Sequence, residues 1–259
     1  MTQGSNPSVI LSIGTQIPPG TIEQDVAASV VQRIGLTKRW NKVLPNLYKK
    51  SGVLRRSSVL LGPSQDDPYL RQTFYQPPTE QAPLGPTTAA RMDVYAREAG
   101  PLLNRACEIA IERANIAPER ITHLITVSCT GFCAPGVDHS VFERFGLSPR
   151  TQRFHIGFMG CHAMINGLRV ANSITLNDPE SIALVGAVEL CSIHQQYTED
   201  PEQIVANSLF SDGAAAAVVA NGTAATSNRV NGGWRILSTE SFKIPFSSDM
   251  MSWKIGDHG

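Results

Sequence analysis

The chain has 259 residues, of which 42% are hydrophobic and 17% are charged, and its formal net charge is zero. This length allows one large domain or two smaller ones with a sizeable apolar core. A neutral chain without a basic stripe is not typical of a nucleic-acid-binding protein. The apolar stretch at residues 9–13 is too short for a signal peptide, and no stretch is long enough to span a membrane.

Apolar runs rich in β-forming residues alternate with helical patterns along the chain. In chain order we predict a strand at 9–13, helices at 22–34 and 92–115, a strand at 121–127, a short helix at 138–145, a helix from 161 to about 176, and strands at 182–188, 214–220 and 234–239. Six prolines between Gly62 and Arg91 exclude regular structure and predict a long surface loop. This alternation is typical of a layered α/β fold.

Cys161 is the leading candidate for a catalytic residue. It follows Gly157 and Gly160 at the predicted turn into a helix. The unpaired N–H groups and the dipole at a helix N-terminus favour a thiolate, and the turn leaves the sulfur exposed. A buried, inert cysteine is the alternative, since free cysteine is among the most buried residue types. The residues alone leave both interpretations open.

The other four cysteines are expected to lie in the core or in a pocket wall. Cys107 lies in a helical run, Cys129 and Cys133 follow one strand, and Cys191 follows another. No second pair at metal-ligand spacing and no matching set of histidines accompanies Cys129 and Cys133, so we predict no metal site. An odd number of cysteines without a disulfide pattern fits a reducing compartment, and we place the protein in the cytoplasm.

Four blocks in the right order resemble the type III polyketide synthases, the chalcone and stilbene synthase family, and within it the bacterial members. They are ILSIGT at 10–15 with two following prolines, HLI to SCTG at 123–131 with PGVD at 135–138, GC at 160–161, and LFSDGAA at 209–215. The resemblance covers almost the whole chain. It implies a thiolase-like layered αβα fold, with an N-terminal part at 1–230 and the start of a second, largely missing half at 231–259.

The resemblance also implies an activity. An acyl group from acyl-coenzyme A would be held on Cys161, malonyl-coenzyme A would be the extender, and repeated decarboxylative condensation would be followed by cyclisation. Cysteine suits this chemistry because its sulfur is both a soft nucleophile and a tolerable leaving group. The family works as homodimers and needs no separate cofactor, and we expect neither a nucleic-acid nor a membrane partner.

Several further residues match positions with roles in the family. Phe210 matches a phenylalanine at the junction between the coenzyme A tunnel and the acyl cavity. Cys129, Cys191 and His194 match positions that line the reaction cavity. Ala134 stands where the plant enzymes carry a methionine that reaches into the partner subunit's cavity, so this contact is expected to differ here.

Lys50, Arg55 and Arg56 form a short basic cluster in a region whose lysines and arginines bind the phosphates of coenzyme A in the family. A solvated basic face is the alternative interpretation of this cluster. Asp138 and Glu189 fall in recognisable blocks, and we expect structural roles for both.

One feature of the family is missing from the sequence. The family uses a histidine and an asparagine from its C-terminal half to activate the cysteine and hold the malonyl thioester, whereas residues 250–259 only resemble the entry into that half. We expect structural or surface roles for His123, His139, His155 and His162. We also expect the chain alone to expose an apolar face and to be poorly soluble.

Two alternatives to a polyketide synthase remain open at the level of sequence. The first is a truncated or pseudoenzyme protein that keeps the thiolase-like fold without condensing activity. The second is a β-ketoacyl synthase of fatty-acid initiation, which shares the cysteine and the fold.

Overall fold

The computed structural model describes residues 7–63, 67–222 and 233–259, and the chain forms two compact units that are discontinuous in sequence. The first unit takes its residues from the segments 1–16, 96–189 and 214–252, and the second from 17–95, 190–213 and 253–259. The predicted boundary at residue 230 falls within 223–232, outside the described residues. The division at that boundary therefore stays a prediction.

The secondary structure follows the predicted alternation. The strands are β1 (Ser8–Gln16), β2 (Thr21–Glu23), β3 (Arg55–Ser57), β4 (His123–Ser128), β5 (Gln152–Gly157), β6 (Ile182–Leu190), β7 (Asp212–Asn221) and β8 (Trp234–Arg235). The α-helices are α1 (Gln24–Ile34), α2 (Leu44–Lys50), α3 (Thr88–Ala114), α4 (Val137–Phe145), α5 (Ala163–Asn177) and α6 (Pro201–Leu209).

A six-stranded mixed sheet with the strand order β5-β4-β6-β7-β1-β8 forms the centre of the first unit. Strand β4 pairs in parallel with both β5 and β6, while β1 pairs antiparallel with β7 and β8. All six residues of β4 are buried, as expected for a strand with apolar layers on both faces. Because β4, β5 and β6 run in the same direction, their carboxyl ends meet at one edge of the sheet.

Helices cover both faces of this sheet, and small residues allow the close approach. Consecutive residues of β6 point to opposite faces. A Cβ atom on Gly167 of α5 would lie 2.9 Å from Val185, and a Cβ atom on the neighbouring Gly186 would lie 2.9 Å from Leu103 of α3. Helices α5 and α3 therefore pack on opposite faces, which confirms a layered α/β fold.

Helix α5 packs through a narrower stripe than predicted. Its buried positions are the small residues Ala163, Gly167, Ala171 and Thr175, spaced by four, while larger apolar side chains beside them are half-buried. The predicted face of Met164, Leu168, Ala171 and Ile174 does contribute to this core cluster.

Several sequence predictions need correction at their boundaries. The helix predicted from residue 22 begins at Gln24, because residues 21–23 form β2 and pair with β3. The strand predicted at 234–239 is regular only at Trp234–Arg235, where it pairs with β1. Strand β5 was missed because it has only two alternating apolar residues, Phe154 and Ile156, and lies mostly exposed at the edge of the sheet.

The second unit has its own apolar core around α1 and α2. Helix α1 ends at Gly35, whose positive φ of 79° lets its N–H group bond the Val31 carbonyl, and buried residues of both helices pack with Tyr75 and Ile204. The proline-rich segment was predicted to lack regular structure, but it contains a short 3₁₀ turn, Pro68–Arg71, and α3 already begins at Thr88 instead of near residue 92. Among the described residues, no helix is long and apolar enough to cross a membrane.

Candidate active site

Cys161 lies in the turn that joins β5 to α5 in the first unit, and its side chain is exposed. Phe158 and Gly160 in this turn have positive φ angles of 54° and 75°, so the backbone reverses sharply before the helix. Helix α5 begins at Ala163, two residues after the cysteine, and the Ala163 N–H group donates to the Gly160 carbonyl at 3.0 Å. The predicted placement in a turn at the head of this helix is confirmed.

Cys129 lies beside this turn because β4 and β5 are parallel neighbours. Ser128, the last residue of β4, is in register with Gly157, the last residue of β5. Cys129, the residue that follows β4, is buried, and its sulfur lies 3.8 Å from the Gly160 carbonyl oxygen. The structure therefore brings Cys129 and the Cys161 turn together within the first unit.

Glu189, for which the sequence indicated only a structural role, fixes the backbone that follows β4. It lies near the carboxyl end of β6, and its carboxylate accepts hydrogen bonds from the backbone N–H groups of Cys129 and Thr130. Burial raises the pKa of the Glu189 carboxyl, although the hydrogen bonds from Thr130 and Cys129 oppose that shift. Burial, and then the Glu189 charge, raise the pKa of the Cys129 thiol, so Cys129 is held as a neutral thiol.

Cys191 and His194 begin and end a 3₁₀ turn in the second unit, directly after β6. Cys191 is half-buried, and the His194 ring makes an edge-to-face contact with the Trp253 ring at a centroid distance of 4.9 Å. Sequence reasoning missed Trp253 because it is separated from His194 by many residues and belongs to no periodic element. The structure thus places two predicted cavity residues on one turn and adds an aromatic neighbour.

Phe210 follows α6 in the second unit, and its side chain is half-exposed. It lines a cavity of about 70 Å³ whose remaining wall includes apolar residues of α1 together with Arg56, Tyr75 and Ser192. The cavity lies within the second unit. An aromatic side chain at its wall is consistent with either a core residue or a substrate-binding residue.

The three residues of the predicted basic cluster differ in their exposure to solvent. Lys50 at the end of α2 and Arg55 on β3 are exposed, whereas Arg56 is only 6% exposed. The Arg56 guanidinium donates to the Asn207 carbonyl at 2.7 Å and lies over the Tyr48 ring. Of the three residues, Lys50 and Arg55 are the two that solvent and a soluble ligand can reach.

The histidines of the first unit occupy structural or surface positions. His123 is buried, bonds the Thr122 hydroxyl at 2.8 Å and stacks on Phe154, and burial lowers its pKa despite the opposing charge of Asp178. His155 bonds the Thr126 hydroxyl at 2.9 Å. Within the described ranges, no three histidine, cysteine or acidic side chains are grouped as a metal site would require.

Comparison with known proteins relates this chain to chalcone and stilbene synthases and to other polyketide synthases. A model of the N-terminal domain of chalcone and stilbene synthases matches residues 1–223. Pks18 of Mycobacterium tuberculosis, described as an alpha-pyrone synthesis polyketide synthase-like protein, is 31% identical over 213 residues, which are 82% of this chain and 51% of Pks18. Polyketide synthase 37 of Dictyostelium discoideum is 31% identical over 170 residues, 65% of this chain and 6% of that protein. This chain thus spans about half the length of Pks18.

Solved structures show the same architecture. The C-terminal type III polyketide synthase domain of Steely1 from Dictyostelium has a TM-score of 0.82 at 22% identity, covering 98% of this chain and 66% of that one. PKS-I from the brown alga Ectocarpus siliculosus has a TM-score of 0.76 at 28% identity, covering 86% and 58%. The predicted thiolase-like fold is confirmed by these similarities.

Proposed function

This chain belongs to the chalcone and stilbene synthase family of type III polyketide synthases, and we propose that it is an acyltransferase that builds a polyketide on Cys161. The observation that carries the proposal is the exposed Cys161 thiol in the turn ahead of α5. Since the chain spans about half the length of Pks18, loading of Cys161 is proposed for this chain itself, and condensation is proposed for the protein with its second half.

The proposed chemistry begins with attack of the Cys161 thiolate on the thioester carbonyl of an acyl-coenzyme A. The new carbon–sulfur bond replaces the one to coenzyme A, which leaves as its thiolate. Loss of carbon dioxide from malonyl-coenzyme A leaves the bonding electron pair as an enolate. The enolate carbon attacks the Cys161 thioester, a carbon–carbon bond forms, and the cysteine thiolate is released. The lengthened chain is then a thioester of coenzyme A, and the Cys161 thiolate takes it up again by the same thioester exchange. Repetition lengthens the chain until cyclisation ends the reaction.

The surrounding residues are proposed to bind the substrates. Cys129, a neutral thiol beside the Cys161 turn, would contact the acyl chain, and Cys191, His194 and Phe210 of the second unit are likewise proposed as substrate-binding residues. These side chains are mostly apolar or uncharged, as an acyl group requires.

Lys50 and Arg55 are proposed to meet the phosphates of coenzyme A, since both are exposed cations. Arg56, predicted with them, is instead engaged with a backbone carbonyl, so we assign it a supporting role for this segment. Acyl-coenzyme A and malonyl-coenzyme A are the proposed substrates, and no separate cofactor is required.

The cellular location and the oligomeric state of the protein are also proposed. All five cysteines are free thiols, which a reducing compartment such as the cytoplasm maintains. A homodimer is proposed for the protein with its second half, because closed two-fold assemblies are the commonest arrangement of soluble enzymes and the family forms them.

The proposal is tested by mass spectrometry of the purified chain after incubation with a long-chain acyl-coenzyme A. We expect a mass increase equal to one acyl group, located on the peptide that contains Cys161 and absent from Cys161→Ala. Cys133→Ala is the matched control, because Cys133 is also an exposed thiol of the first unit and should not affect loading. Malonyl-coenzyme A is followed in parallel for release of carbon dioxide.

The outcomes separate the alternatives. An adduct without decarboxylation supports loading by this chain and assigns decarboxylation to the second half. Loading of acetyl-coenzyme A in preference to longer chains favours an enzyme of fatty-acid initiation. Absence of any adduct on Cys161 would contradict the proposed function and support a protein that keeps the fold without the activity.

A further inference from the structure

Arg91 is completely buried in the second unit, and its guanidinium binds the backbone at the end of the Cys191–His194 turn. One terminal nitrogen donates to the Ile193 carbonyl, and the other donates to the Gln195 carbonyl at 3.2 Å. The Nε group donates to the Pro86 carbonyl at 3.2 Å. The two carbonyls of residues 193 and 195 lie on either side of His194, so the arginine holds the backbone that carries this side chain.

Tyr75 extends the same support to neighbouring backbone groups. Its hydroxyl donates to the Ser192 carbonyl at 2.8 Å, accepts from the Gln195 N–H group at 3.0 Å, and lies 3.2 Å from an Arg91 nitrogen. Burial raises the pKa of Tyr75, so the hydroxyl keeps its proton as a donor. Arg91 and Tyr75 together bind the carbonyls of residues 192, 193 and 195.

Asp212 holds the start of the turn. Its carboxylate accepts from the Ser192 N–H group at 2.7 Å and from the Ser192 hydroxyl at 2.6 Å, and it also accepts from the Val59 N–H group at 2.8 Å. The turn is therefore fixed by three buried side chains. Only Arg91 binds carbonyls on both sides of His194 through a planar fork, which a lysine cannot reproduce.

We propose that Arg91, assisted by Tyr75, is a positioning residue that fixes the orientation of Cys191 and His194 and thereby sets which acyl lengths the chain accepts. In this scheme Arg91 acts on the backbone of the turn, through the Ile193 and Gln195 carbonyls, and does not bind a substrate. The effect on acyl length rests on the proposed function, whereas the positioning of the turn does not.

Site-resolved alkylation tests the positioning without requiring catalysis. The full chain carries a half-buried Cys191, a fully buried Cys107 that reports general unfolding, and an exposed Cys133 that serves as reference. In Arg91→Met we expect N-ethylmaleimide to modify Cys191 about fivefold faster relative to Cys133, since the turn loses hydrogen bonds and opens locally. Arg91→Lys should recover only part of the protection, and Arg39→Met, an exposed arginine of the same unit, should match the parent chain.

Tyr75→Phe provides a second variant should Arg91→Met fail to fold. It removes one hydroxyl and keeps the ring, and we expect about a twofold increase in Cys191 modification. The positioning is overturned if Cys191 is modified at the parental rate. It is also overturned if Cys191 and Cys107, which lies in the first unit, become reactive together, because the arginine would then support the fold of the chain as a whole.

The consequence for substrate choice is measured as the ratio of long-chain to short-chain acyl groups loaded on Cys161. We expect Arg91→Lys to change this ratio by about threefold or more while Arg39→Met leaves it unchanged. An unchanged ratio beside faster Cys191 modification would overturn the link to acyl length. Absence of loading in the parent chain would overturn the proposed function and with it that link, while the alkylation result still decides the role of Arg91 in the turn.

Discussion

The Glu189 carboxylate binds the backbone N–H group of Cys129 with both oxygens, at 2.8 and 3.1 Å. One of these oxygens also accepts from the Thr130 N–H group at 2.9 Å. These two donors lie just beyond the last residue of β4, where no partner strand continues the ladder. Glu189 thus replaces the missing backbone acceptors and fixes the segment that places Cys129 beside the Cys161 turn.

Removal of this carboxylate should destabilise the first unit. Glu189→Ala leaves two largely buried N–H groups without their acceptor, and we expect the free energy of unfolding to fall by about 1–3 kcal/mol. Glu189→Gln keeps one acceptor oxygen and should lose less. Urea denaturation followed by circular dichroism measures both, with Glu112→Gln as an exposed control on α3. Equal stability of Glu189→Ala and the control would contradict the assigned role.

Acid should destabilise the protein partly through His123. Burial lowers the folded-state pKa of this histidine below its ordinary value of about 6.5, so the unfolded state binds a proton more readily. The stability that His123 contributes is therefore present above about pH 6.5 and is lost as the pH falls through the folded-state pKa. We expect His123→Gln to flatten the loss of stability between about pH 7 and about pH 5, measured from urea midpoints.

His139 supplies the control for this titration, because its side chain is exposed on α4. His139→Gln should leave the pH profile of the urea midpoint parallel to that of the parent chain. A profile for His123→Gln that also runs parallel to the parent would exclude His123 as a source of the acid sensitivity.

The sequence predicted the features that depend on local pattern. The strand at residues 9–13, the long helix near 92–115 and the turn before α5 all follow from apolar periodicity, glycine and capping rules, and all are confirmed. Edge strand β5 and the short pair β2 and β3 were missed, because edge and three-residue strands are determined by pairing with distant segments.

The sequence also did not predict which charged side chains are buried. Arg55 and Arg56 look equivalent in the sequence, yet neighbouring residues of a strand point to opposite faces, which leaves one exposed and one buried. The roles of Arg91 and Tyr75 likewise depend on carbonyls that lie more than 100 positions away along the chain. No local pattern encodes such contacts.

Gly14 allows β1 and α3 to pack in direct contact, and a side chain there should not be tolerated. A Cβ atom would lie 2.1 Å from the Ala106 carbonyl oxygen and 2.6 Å from the Ala110 nitrogen, both of which belong to the helix backbone. We expect Gly14→Ala to lower the free energy of unfolding by about 1–3 kcal/mol. Thermal denaturation measures the loss. Gly157→Ala is the control, since its new methyl group would make only ordinary contacts of 3.6 Å, and similar melting temperatures for the two variants would contradict the packing argument.

The segment after β8 should make this chain self-associate when it is expressed alone. Leu237, Phe242, Phe246, Met250 and Met251 are all strongly exposed, and an apolar surface of this extent favours association over solvation. We expect the sedimentation coefficient to rise with protein concentration and dye binding to report exposed apolar surface. The double change Phe242→Ser and Phe246→Ser should reduce both effects without altering the melting temperature, because neither ring is buried in the core. A chain that sediments as a monomer at every concentration would contradict this expectation. It would show that the exposed apolar side chains are too far apart to promote self-association.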